Sequence, residues 1–159
     1  MRMRNYIICE ILCVLALTGF IWFLCTTRAG GTQKSIDEVS SPVETCFAQD
    51  QMIKKTHADA YQAFGIDVSD TEGLSYYANE NVMDVSEMLI IKLKDKDDAK
   101  AYKEAIETRI EERKNLYKDY APEQYALLCD SIVNISGNTV FYCTAKNADE
   151  LYEAYKKAL

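Results

Sequence analysis

A single histidine, His57, leaves very little room for imidazole chemistry in this chain. A histidine-rich transition-metal site is excluded by count, and any Ser-His-Asp or Cys-His nucleophile has to use that one residue. The local pattern puts His57 in the first turn of a short helix, facing solvent. The six glycines are scattered and form no dense cluster after a strand, so neither a phosphate loop nor a dinucleotide fingerprint is present. Six cysteines make no C-x-x-C pair, which removes the usual sign of a redox motif or paired-cysteine zinc site. Basic charge is also short. After Arg28 there are 24 acidic against 15 basic side chains, a net of −9, which argues against nucleic acid and anionic lipid headgroups as partners. Carboxylates alone can hold calcium, and the stretch from Asp67 to Gly73 superficially resembles a calcium loop. Glu72 stands where that loop needs glycine and Ala78 where it needs a bidentate glutamate, so a turn is expected. The sequence implies no metal and no cofactor.

What the chain does have is one nearly unbroken apolar run at residues 6–25, preceded by Arg2 and Arg4 and followed by Arg28. Twenty helical residues span about 30 Å, the thickness of a bilayer's hydrocarbon core. Basic residues ahead of the run favour a cytoplasmic N-terminus and an extracytoplasmic remainder. Residues 1–28 therefore read as a transmembrane anchor or signal-anchor, with a cleaved signal peptide as the alternative. Cys9, Cys13 and Cys25 belong to this run, leaving Cys46, Cys129 and Cys143 to the remainder. In an oxidising compartment Cys129 and Cys143 are chemically able to form a disulfide, the other reading being two buried thiols.

Residues 29–41 are poor in apolar side chains and read as a flexible tether. Residues 42–159 suffice for one core and are too few for two ordinary domains. Ser41-Pro42-Val43-Glu44 combines an N-cap serine, a proline at the first helical position and a capping-box glutamate, so a helix is expected there, with Val43, Cys46, Phe47 and Ile53 near one face. Thr56 caps a second short helix that Gly65 ends. Residues 74–78 and 86–94 predict two paired strands. Leu89, Ile91 and Leu93 alternate with Met88 and Ile90, so the second strand is expected to be central and buried on both faces. Residues 95–117 form the clearest helix, with Ala99, Tyr102, Ile106, Ile110 and Tyr117 as its apolar stripe. A short helix from Pro122, a hairpin of residues 132–135 and 139–145 around Gly137, and a last helix capped near Asn147 complete the chain. The expected fold is α+β: a four-stranded antiparallel sheet from two hairpins, a ββαββα core, with helices packed across it.

Phe64-Gly65-Ile66-Asp67, Ser86-Glu87-Met88-Leu89-Ile90-Ile91-Lys92, Tyr120-Ala121-Pro122-Glu123-Gln124-Tyr125 and Gly137-Asn138 occur in that order. The ordered set, over residues 56–159, resembles the family known as domain of unknown function 4358, whose members are small exported proteins, membrane-anchored or lipoprotein-like, of clostridial bacteria. Ala121 and Thr139 depart from the family pattern, and no lipobox cysteine is evident. The resemblance implies export and anchoring. It brings no established activity, substrate or catalytic residue.

Eleven tyrosines remain to be placed, three of them, Tyr117, Tyr120 and Tyr125, close around Pro122 and Glu123. Tyrosine offers apolar area with a polar tip, so Tyr117, Tyr120, Glu123 and Tyr125 form a candidate interaction surface. The bland reading has the rings plugging a helix–sheet junction. Together these features lead to the expectation of a non-enzymatic binding or scaffolding module, held in the cell membrane by residues 6–25 and facing an envelope protein or wall component. An envelope hydrolase working through acidic residues and a thiol-dependent accessory protein are the alternatives.

Overall fold

Helix α1, Ile36–Glu44, begins earlier than the Ser41-Pro42 signal predicts. A computed structural model of the chain describes residues 17–18, 32–47 and 52–159, and there Ser35 is the N-cap. Its hydroxyl accepts from the Glu38 amide at 3.3 Å, and the Glu38 carboxylate accepts from the Ser35 amide at 2.7 Å. Pro42 lies inside the helix, in its last turn. An interior proline costs one backbone hydrogen bond. Burial of Val39 and Val43, at 1% and 0% exposure, offsets that loss and carries the helix through it.

The sheet corrects the expected strand count from four to five. Strand β1, Met52–Lys54, is three residues long, too short to display alternation, and its Ile53 also fits the period of the expected helical face. It pairs antiparallel with β2, Thr71–Asn79, which pairs with β3, Glu87–Leu93. Past the helices, β4, Ile132–Ser136, and β5, Thr139–Thr144, form the second hairpin, where Gly137 takes φ +60°. The order is β1-β2-β3-β5-β4, antiparallel throughout. Strand β3 is central and buried on both faces, as its sequence predicts.

Burial on both faces demands a helical layer on each side of the sheet. On one face Met88, Ile90 and Phe141 pack with Val39 and Val43 of α1 and with Leu151 and Tyr155 of α5, Ala148–Ala158. On the other, Leu89, Ile91 and Val140 pack with Ala60 and Phe64 of α2, His57–Phe64, and with Ile106 and Ile110 of α3, Ala99–Tyr117. Helix α2 carries the expected Thr56 cap and ends at Gly65, φ +69°. Helix α4, Pro122–Cys129, packs beside α3 and closes a small third cluster of Val85, Tyr117 and Leu128. The result is an α+β sandwich with helices on both faces of an antiparallel sheet.

Where β2 meets α1 the approach is close enough to require glycine. A Cβ built on Gly73, at the β-bulge next to Thr71, meets Ile36 Cγ2 at 2.8 Å and Cβ at 3.0 Å. Gly73→Ala is expected to cost about 1–3 kcal/mol through forced repacking of α1 on the sheet. Urea denaturation measures it, and an unchanged midpoint would show that α1 yields freely.

Among the described residues no helix is long and apolar enough to cross a membrane. The apolar run at residues 6–25 lies, apart from Leu17 and Thr18, outside the described residues.

Candidate functional site

Glu87 is the anomaly of β3: a carboxylate in the middle strand, with a side chain only 1% exposed. A charge so placed is tolerated only when paired and hydrogen-bonded. Its direction follows from strand parity, since Glu87 shares the face of Leu89 and Ile91 and therefore points toward α3. Arg109 and Arg113 stand four residues apart on that helix, which stacks their side chains on one side. Arg109 grips the carboxylate in a fork, Nε to Oε1 at 3.1 Å and Nη2 to Oε2 at 2.9 Å. Arg113 donates through Nη1 to Oε1 at 2.9 Å.

The two strands flanking β3 complete the cage. The register sets Glu87 opposite Ala78 on β2 and Thr144 on β5, so Tyr76 and Tyr142 are its diagonal neighbours on the same face. Both hydroxyls reach it. Tyr76 donates to Oε2 at 3.0 Å and Tyr142 to Oε1 at 2.7 Å, while Tyr142 in turn accepts from Thr144 Oγ1 at 2.8 Å. Each carboxylate oxygen thus has at least one arginine and one phenol.

Burial pushes the Glu87 carboxyl up, but the Arg109 hydrogen bonds, the Arg109 and Arg113 charges and the Tyr142 hydroxyl outweigh it and hold the carboxyl below its ordinary value. Burial and the Glu87 charge raise the Tyr142 and Tyr76 phenols. For Arg109, burial acts downward and is overcome by the hydrogen bonds and charge of Glu87, which lift the guanidinium. The carboxylate is fixed in its charged form at neutral pH, which suits anchoring and not proton transfer, where the acid must titrate near the working pH.

The arginines also build the wall above this floor. Arg113 donates to the carbonyls of Val85 at 3.3 Å and Asp84 at 3.4 Å, and Arg109 to that of Ala63 at 3.1 Å. The Tyr117 hydroxyl donates to the Val82 carbonyl at 3.0 Å, and Gln124 Oε1 accepts from the Val85 amide at 2.8 Å. The β2–β3 connection is therefore pinned from α3 and α4. Guanidinium–ring contacts add to the fixing, Arg109 over Phe64 at 4.8 Å and Arg113 over Tyr117 at 5.8 Å. Between this connection, α2 and α3 opens a cleft of about 430 Å³, with Glu87, Arg109 and Arg113 at its floor and Lys55, Gln62 and Val82 along its sides.

Of the expected surface, Tyr120, Glu123 and Tyr125 are exposed and Tyr117 is buried. Tyr120 stacks on Tyr117 at 5.4 Å between centroids. Tyr117 packs with Val85 and Leu128 in the third cluster. The two cysteines are not brought together. Cys129 is exposed, beside Ile110 and Val133 on the α3 side, and Cys143 is buried in the cluster beneath α1 and α5. His57 is exposed at the first position of α2. The stretch after Asp67 is a short 3-10 turn, Val68–Asp70, which the Asp67 side chain caps by accepting from the Ser69 amide at 2.8 Å.

Sequence reading passed over Glu87, Arg109 and Arg113 as functional residues. One signal was available: the stripe Ala99, Tyr102, Ile106, Ile110, Tyr117 steps by three or four residues except for one gap of seven. Arg113 occupies the missing position.

A five-stranded antiparallel sheet between helical layers, with an ion cage beneath an open cleft, defines the class of domain. The match to a family model, Domain of unknown function (DUF4358), over residues 47–145 makes the chain a member of that family. No curated protein and no solved structure matches it.

Proposed function

We propose that the chain is a non-enzymatic binding module, held in a cell membrane by residues 6–25 with the folded domain on the extracytoplasmic side, and that it takes up an envelope protein or wall component in the cleft over Glu87. The observation that carries this reading is the cleft itself. Its floor is a fully hydrogen-bonded ion cage and its wall is pinned by four side chains, so the opening is formed in advance of any ligand. A preformed concave site loses little ordering entropy on binding. The clamped charge of Glu87 favours binding over acid–base catalysis at the same place. For the membrane, the support is the length of the apolar run and the basic residues ahead of it.

Site-directed photocrosslinking in membranes of cells producing the full chain tests the proposal. A photoreactive residue at Val82, which is 85% exposed and lines the cleft, is expected to yield a discrete adduct. The same residue at Asp37, exposed on α1 beyond the opposite face of the sheet, is expected to yield none. Equal labelling from both positions, or none from either, would rule the cleft out as the binding site.

A further inference from the structure

We infer that the cleft recognises an oxyanion, a carboxylate or phosphate group of its ligand, docked on the outward edges of Arg109 and Arg113. This rests on the reading of the cleft as a binding site and adds the chemistry it selects.

The charges at the floor do not balance locally. Two guanidiniums meet one buried carboxylate, Glu87. The other acids of the lining are engaged elsewhere: Asp59 accepts from the Thr56 amide and hydroxyl at 2.8 and 2.7 Å and faces Lys55, and Asp84 accepts from the Ser86 amide at 2.8 Å. Over the whole lining Lys55, Arg109 and Arg113 balance Asp59, Asp84 and Glu87, so the cleft carries no net charge, and what it offers an anion is the local excess of guanidinium over carboxylate around Glu87.

Donors are left over as well. A guanidinium carries five N–H groups. Arg109 spends three on Glu87 and Ala63, and Arg113 spends three on Glu87, Val85 and Asp84. The arginine side chains are 23% and 15% exposed and line the cleft. Planar forks with N–H groups still to give match carboxylate and phosphate oxygens, and the bonds are charge-assisted. Glu87 has already fixed both guanidiniums in place, so an incoming anion orders nothing further. The domain's net negative charge repels anions at long range, which makes such recognition short-range and specific to a group that fits the cleft.

The test uses the full chain in detergent, with Arg109 and Arg113 Nε–Hε resonances followed by NMR while sodium phosphate or sodium acetate replaces chloride at constant ionic strength. Saturable shifts at both arginines are expected. Saturation by phosphate alone assigns a phosphate group, by acetate alone a carboxylate, and by both the oxyanion in general. Gln62→Glu places a carboxylate at the cleft side from an exposed position without touching the Glu87 cage. It is expected to weaken the saturating anion by about tenfold, roughly 1.4 kcal/mol. Linear, unsaturable drift with both salts overturns the inference, as does undiminished affinity in Gln62→Glu. If the Val82 adduct persists when no oxyanion saturates, the anion chemistry is wrong and the binding site stands. Loss of the adduct removes both.

Discussion

Glu87→Gln lowers the unfolding free energy by about 3–5 kcal/mol at pH 7, the usual cost of breaking a buried ion pair from one side. Glutamine keeps the volume and an acceptor for one phenol. It supplies no charge to two guanidiniums that are themselves largely buried, and its amide nitrogen faces a donor where the carboxylate accepted. Since small domains have about 5–15 kcal/mol in total, the loss is a large share of the stability. Urea denaturation of the variant beside the parent chain measures it. The difference depends on pH with a definite sign. The folded-state pKa of Glu87 is depressed, so its contribution is complete above the ordinary value of 4.5 and is lost as pH falls toward the folded value. Parent and variant therefore converge in acid, and a gap that stays constant below pH 4.5 would place the cost in packing instead of charge.

Arg109→Met has an effect of the same size at neutral pH, about 3–5 kcal/mol, with the opposite response to acid. Methionine retains apolar contact with Phe64, over which the guanidinium lies at 4.8 Å. What goes is the bidentate partner. Burial is the largest single influence on Glu87 and acts upward, and the Arg109 hydrogen bonds and charge are the strongest influences opposing it. Without them the upward push of burial is expected to prevail over the Arg113 charge and the Tyr142 hydroxyl, raising the carboxyl above its ordinary value and making its ionised form costly. A raised folded pKa gives stability that is lost as pH climbs, so Arg109→Met is expected to be more stable at pH 5 than at pH 7 relative to the parent. Pairing the change with Glu87→Leu should recover much of the loss, because apolar replacement of a whole buried pair is often neutral. Strictly additive losses would show that the two residues do not act as a unit.

Much of the fold was legible in the sequence, for reasons that lie in particular residues. Thr56 with Asp59 and then Gly65 mark both ends of α2, because a capping box and a left-handed stop each have a chemical signature. The alternation of Met88, Leu89, Ile90 and Ile91 makes β3 central, and Gly137 fixes the β4–β5 turn. Two errors came from competing local signals. Ser41-Pro42 is a credible helix start, but Ser35 with Glu38 forms a better one, and the burial of Val39 and Val43 decides between them. Met52–Lys54 has no period to read and owes its extended form to its partner β2. The two-faced core was implicit in β3, yet which helices cover which face depends on long-range packing.

The site was less legible. Arg109 and Arg113 look like members of a solvated charged face, as Lys100 and Glu104 are, at 3.8 Å and mostly exposed. Only the break in the apolar stripe at residue 113, set beside a lone acid in an apolar strand, distinguishes them. Their meeting requires β3 to be covered by α3 in one register, with Tyr76 and Tyr142 arriving from strands on either side. That is tertiary information. The Tyr120-Ala121-Pro122-Glu123-Gln124-Tyr125 motif gains a physical role in the same way, as Gln124 holds the Val85 amide at the cleft wall.

The ion cage supports the cleft, the proposed anion site and the pH response alike, so the state of the Glu87 carboxyl is the quantity to measure. A carbon-13 titration of its side-chain carboxyl between pH 7 and 3 is expected to show the charged form persisting below 4.5, the ordinary glutamate value. A midpoint at or above 4.5 would mean that burial prevails over the two arginines, and the account of the site would be contradicted.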